Sequence, residues 1–158
     1  MLHTVTTKRR TVRRPLCAWL LAAVGAATIL MGLYFIFVRP PLLTEDLRYM
    51  GVSSERLLAT TPKLVSWLRL VFIVLGGYIA GAGVLLVHLA LGAFAERKPY
   101  ALLVALLSGG FATGLMSVVN LFIDSQFKFA LLTMTAMWLT ALVCYVFHTR
   151  RPSGAVPD

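Results

Sequence analysis

The sequence predicts an all-α polytopic membrane protein, a bundle of four transmembrane helices with a short helical segment between the first and the second. Three observations carry that prediction. Four long apolar stretches, at residues 16–38, 64–95, 100–123 and 129–147, take up most of the 158 residues. Charged residues are 13% of the chain against 59% hydrophobic ones, and the mean hydropathy is +0.83. The longest polar interval, residues 39–63, is too short to bury a core of its own. A helix rises about 1.5 Å per residue, so each stretch spans a hydrocarbon core of about 30 Å. The whole chain, 1–158, reads as one integral membrane domain with transmembrane helices at about 16–38, 66–94, 100–123 and 129–147.

The first stretch follows a basic tail, residues 1–14, that holds Lys8, Arg9, Arg10, Arg13 and Arg14. Its apolar run is longer than a secretory signal core and ends in Phe35-Ile36-Phe37-Val38-Arg39-Pro40, without a small-residue cleavage pattern, so it is expected to stay as a helix. The tail favours the cytoplasmic side. Four crossings then return residues 149–158 to the same side, with Arg97 and Lys98 in the middle turn and Arg150 and Arg151 after the last helix. Arg39, Arg48, Arg56, Lys63 and Lys128 fall outside. The expected home is the bacterial inner membrane, with both termini cytoplasmic. Trp19 and Trp67 suit the two interfacial belts.

Helices that are apolar all round gain nothing by burying apolar surface from lipid, so small residues should mark where they pack. The second helix carries Gly77 and Gly81 four apart and the third carries Gly110 and Gly114, which predicts an intimate pair between these two. The first helix holds a smaller set in Ala22, Ala23, Gly25, Ala26, Ala27 and Gly32. Short polar turns at residues 96–99 and 124–128 make helices two, three and four antiparallel neighbours.

The outer segment, residues 39–63, reads as two short helices. Thr44 is the expected cap of the first, Glu45 and Asp46 put negative charge on its first turn, and Gly51 can end it in the left-handed conformation. Ser53 or Ser54 can start the second. The run Leu43-Thr44-Glu45-Asp46-Leu47-Arg48-Tyr49-Met50-Gly51, with Trp67-Leu68-Arg69 and the glycine-rich residues 71–83, resembles a bacterial family of small four-helix membrane proteins that has no assigned function. The resemblance covers the first two helices and implies architecture, without an activity.

Polar residues held in lipid are the candidate sites. Arg69 lies well inside the second stretch. It either reaches the interface with its long stem, or turns inward to pair with Asp124, Glu45 or Asp46, with Asn120 completing a cluster fit for an anionic headgroup, a quinone-like carbonyl or a small acid. His88 and His148 lie toward the cytoplasmic side and are weak haem-ligand candidates, while His3 sits in the tail. Cys17 and Cys144 lie on the cytoplasmic side without Cys-x-x-Cys spacing, which argues against a thiol-oxidation relay. No metal, cofactor or catalytic residue is expected, and membrane topology makes nucleic acid an unsuitable partner for the basic charge. The expected partners are membrane lipids, and a partner membrane protein or a second copy.

Three functions are consistent with this. The first is a non-enzymatic accessory or lipid-associated subunit. The second is a small-solute or lipid transporter, although residues 16–38 lack the carboxylate that four-helix exporters of cations use. The third is a membrane redox protein or a lipid-modifying enzyme.

Overall fold

In a computed structural model of the protein, residues 14–147 are described. The basic residues Lys8, Arg9, Arg10 and Arg13, His3, His148 and the segment 149–158 with Arg150 and Arg151 lie outside them. The described residues form helices α1 (Leu16–Phe37), α2 (Thr44–Met50), α3 (Ser54–Thr60), α4 (Leu64–Leu89), α5 (Ala101–Gly109), α6 (Leu115–Ile123) and α7 (Lys128–Phe147). A π-helical turn at Ala90–Phe94 extends α4, and another at Gly110–Gly114 joins α5 to α6. Four spans are long and apolar enough to cross a membrane: Leu16–Phe37, Leu64–Phe94, Ala101–Ile123 and Lys128–Phe147.

These spans are mostly uncovered. At most a third of the most apolar window in any of them is buried, and Leu70, Tyr78, Leu85, Phe111, Phe122 and Phe147 point outward. Apolar surface on this scale is stable against lipid chains and costly against water. Trp19 and Trp67 are both exposed, each in the first turn of its helix, and the antiparallel pairing of α1 and α4 puts them at opposite ends of the bundle.

The intimate helix pair is α1 with α4, not the second and third transmembrane helices. A Cβ added to Gly32 would stand 2.5 Å from the Ala80 amide nitrogen and 2.6 Å from the Gly76 carbonyl oxygen, and one on Gly83 would stand 2.7 Å from the Gly25 carbonyl oxygen. Backbone therefore lies directly on backbone along this seam. Among the described residues Gly77 and Gly81 meet nothing within 4 Å, because they lie on a different face of α4 from Gly76, Ala80 and Gly83. In the third span the close contact belongs to Gly109, against the Trp138 indole, while Gly110 and Gly114 have only ordinary or distant neighbours. The sequence pattern identified the right residue type and chose the wrong faces. A helix that is apolar throughout presents no polar stripe from which to tell inside from outside.

Helix α1 is the centre of the arrangement, lying along α4 and also packing on α7. Helices α5 and α6 lean on α7, and α4 meets α5. The apolar core fills one half of the bundle, at the end of the α4–α5 turn: Leu21, Val24, Leu86, Phe94, Ala105, Trp138 and Tyr145 pack there. Trp138 Nε1 donates to the Ala105 carbonyl at 2.9 Å, so its polar edge is satisfied inside that core. Arg97, which has φ 55°, closes the same end by donating to the Tyr145 carbonyl at 2.7 Å and stacking over the Tyr145 ring.

At the other end α2 forms a cap against α6, followed by α3, which buries no residue. Gly51 ends α2 with φ 66°, and the Ser53 hydroxyl accepts the Arg56 N–H to start α3, both as the sequence implies. Thr44 does not cap α2. It is the first helical residue, Leu43 occupies the cap position, and the Asp46 carboxylate reaches back to accept the Leu43 N–H at 3.0 Å.

Gly32→Ala and Gly83→Ala are each expected to destabilise the protein by about 1–3 kcal/mol, because backbone on the far side of the seam cannot yield as a flexible side chain does. Gly77→Ala and Gly81→Ala should be neutral or mildly stabilising, since the new methyl meets open space and the helix gains propensity. Thermal unfolding in detergent micelles separates the two pairs.

Candidate functional site

Beneath the cap, where the apolar core stops, lies a cavity of about 110 Å³ lined by the C-terminal part of α1, by α2, and by the α6–α7 junction. Its polar groups are Arg39, Glu45, Asp46, Asn120 and Ser125, with Tyr34, Phe35 and Phe127 among its walls. Glu45 is only 6% exposed, and its Oε1 accepts the Ser125 hydroxyl at 3.2 Å. Ser125 in turn accepts the Phe127 N–H at 3.2 Å, so one hydroxyl ties the start of α7 to the carboxylate on α2. Amide and carboxyl groups in such a place need partners, because lipid offers none.

Arg39 is the cation of this site. It leaves the end of α1, where the helix dipole favours positive charge, and its guanidinium lies 3.7 Å from the centre of the Phe72 ring and 5.2 Å from that of Phe35. It pairs with Asp46 Oδ2 at 3.4 Å and donates to the Pro40 carbonyl. Asp46 thus joins α1 to α2 while its same oxygen accepts the Leu43 N–H.

Of the two readings of Arg69, the inward cluster does not form among the described residues. Arg69 is exposed on α4 and makes no ion pair among the described residues, in keeping with a side chain that reaches along its helix toward the interface. Asp124 instead pairs with Arg48 on α2 at 3.3 Å and with Lys128 on α7. Glu45 is held by Ser125, and Asp46 by Arg39. Asn120 donates to the Met116 carbonyl one turn back and shares the cavity with Glu45 and Asp46 rather than bonding Asp124. Glu45, Asp46 and Asn120 therefore share one cavity, Asp124 stands in the chain between its wall residues Ile123 and Ser125, and Arg39 takes the position given to Arg69. The signal for Arg39 was its place directly after an apolar stretch and before Pro40-Pro41, with Asp46 seven residues on.

Asp124 ends α6 in the left-handed conformation, φ 55°. Arg48 donates to its carbonyl at 2.8 Å, which puts a cation on the unpaired carbonyls of that helix end. The Lys128 ammonium, first by its hydrogen bond and then by its charge, holds the Asp124 carboxyl below its ordinary value, with a smaller pull from Arg48.

A second space adjoins the cavity. A groove of about 620 Å³ opens sideways between α4 and the α5–α6 span, walled by Leu75, Tyr78, Phe111, Leu115 and Val119. Phe35, Met116 and Asn120 line both groove and cavity. The groove's size lies within the roughly 300–1,000 Å³ usual for ligand clefts, and its surface is almost wholly apolar. Its two deepest hydroxyls differ. Thr28 donates to the Val24 carbonyl at 2.8 Å, while the buried Ser108 Oγ has no hydrogen-bond partner among the described residues.

Of the two weak haem candidates, His88 is exposed on α4 and His148 lies outside the described residues. Cys17 is buried and Cys144 half-buried, both as free thiols. Among the described residues no three His, Cys, Asp or Glu side chains gather as a metal site. Comparison with protein-family models, with curated proteins and with solved structures finds no match for this chain.

Two outcomes test this geometry. Because the folded-state value of Asp124 is depressed, its contribution to stability is complete above the ordinary carboxylate range and is lost as pH falls through the depressed value. Lys128→Met should therefore move the Asp124 titration upward toward its ordinary position, followed by NMR of the labelled carboxyl. Arg39→Met, which leaves Asp46 without its cation, should destabilise the fold by about 2–3 kcal/mol in the same unfolding assay, and Arg39→Lys by less.

Proposed function

We propose that the protein is a non-enzymatic, lipid-associated protein of the bacterial cytoplasmic membrane, with both termini cytoplasmic, that holds one membrane lipid at the groove between α4 and the α5–α6 span. The observation that carries this reading is the pairing of an apolar groove open to the bilayer with a polar cavity at the level of the cap, sharing Phe35, Met116 and Asn120. An amphiphile has that shape: chains beside the transmembrane helices and a polar head at their ends. The orientation rests on the basic residues before α1, in the α4–α5 turn and after α7. Membership of the small four-helix family that residues 43–51 resemble belongs to the same proposal.

Native mass spectrometry of protein released gently from its own membrane tests it. The expected spectrum contains the monomer carrying one lipid mass, and also reports any partner subunit or second copy that travels with it. Ala82→Trp fills the groove and should cut lipid retention severalfold, while Phe129→Trp, at an outward position on α7, leaves it unchanged. A wild-type protein that emerges bare under conditions that preserve lipids on other membrane proteins overturns the reading.

A further inference from the structure

The cavity beneath the cap is charged in a way that selects a headgroup. Of its three charged side chains, Arg39 and Asp46 neutralise each other at 3.4 Å. Glu45 remains. It is more than nine-tenths buried, it lines the cavity, and among the described residues its single hydrogen-bond partner is the uncharged Ser125 hydroxyl. An ionised carboxylate has about four acceptor positions, and an interior one is stable when a positive donor satisfies them. The cavity thus has capacity for a small group carrying positive charge and N–H donors.

Outside the cavity, next to its wall residues Ile123 and Ser125, the surface has the opposite sign. Arg48 and Lys128 share the one carboxylate of Asp124, which is joined through the chain to Ser125. Arg48 also reaches the carbonyl of Ile123, a residue of the cavity wall. A buried negative group, Glu45, thus has an exposed, net positive patch beside it in the fold, the complement of a zwitterionic head whose ammonium is buried and whose phosphate stays at the surface.

We infer that the site selects a phospholipid with a primary-amine head, an ethanolamine phospholipid of the bilayer, with its ammonium donating to Glu45, its phosphate against Arg48 and Lys128, and a chain in the lateral groove. This rests on the lipid-holding role proposed above and names the lipid. Three donors on a compact ammonium suit a carboxylate in a cavity of about 110 Å³, whereas a quaternary amine keeps the charge, adds bulk and loses every donor.

The test is a titration of delipidated full-length protein in detergent, read by native mass spectrometry, with phosphatidylethanolamine, its mono- and dimethyl forms, phosphatidylcholine and phosphatidylglycerol of identical chains. The wild type should bind phosphatidylethanolamine on the order of tenfold more tightly than phosphatidylcholine or phosphatidylglycerol, with affinity falling at each methylation. Glu45→Gln should reduce the ethanolamine lipid to the level of phosphatidylcholine and leave phosphatidylcholine unchanged. Equal wild-type affinity across the methylation series, or a preference that survives in Glu45→Gln, overturns the ammonium assignment while the groove reading stands. Ala82→Trp should weaken all five lipids alike, and a wild type that takes up none of them overturns both. The methylation series needs only the wild-type protein, so it decides the matter even if Glu45→Gln fails to fold.

Discussion

The close approach of α1 and α4 is the constraint on which the rest of this structure depends. In lipid, two apolar helices gain little by hiding side chains from solvent, and what remains is dispersion between surfaces that fit. Gly25 and Gly32 on one helix and Gly76 and Gly83 on the other remove the side chains that would hold the backbones apart. The resulting pair makes α1 the central helix, with α4 along one side and α7 on another. Because α4 lies along α1, the α5–α6 span leans on α7, and the lateral groove is the space between α4 and that span.

That arrangement divides the bundle into two unlike halves. Near the α4–α5 turn, large and small apolar residues interlock around Phe94 and Trp138, and Gly109 gives the indole its place. Toward the cap the buried groups turn polar: Thr113, Ser117 and Thr135 share hydroxyl and carbonyl hydrogen bonds between the third and fourth spans, and Glu45 and Ser125 follow closer to the end. A π-helical turn at Gly110–Gly114 lies at the change from one half to the other. The cavity of about 110 Å³ lies in this second half, walled in part by the same polar groups.

Three of the arginines follow a common rule. Arg97 sits on the carbonyl end of α7, Arg48 on that of α6, and Arg39 at that of α1, each where unpaired carbonyls and the helix dipole favour a cation. Arg69 is in the first turns of α4, at the positive end of its helix, and has no such site to fill. This is the physical reason that the carboxylates at the cap take Arg39 and Arg48 as partners and leave Arg69 outward.

The sequence alone determined that the chain is helical, that four spans are long enough to cross a bilayer, and that residues 39–63 hold two short helices divided at Gly51 and Ser53. These features depend on local length, composition and turn chemistry, which a linear reading contains. It also gathered Glu45, Asp46, Asn120 and Asp124 at one end, because helix direction places them there. Tertiary structure alone decided that Gly76 and Gly83 face the seam while Gly77 and Gly81 do not, that Arg39 holds Asp46, and that Glu45 is buried against Ser125, eighty residues away in sequence. Helices of uniform apolarity have no amphipathic stripe to fix their rotation, so each one's inward face is set by the neighbour it can approach most closely.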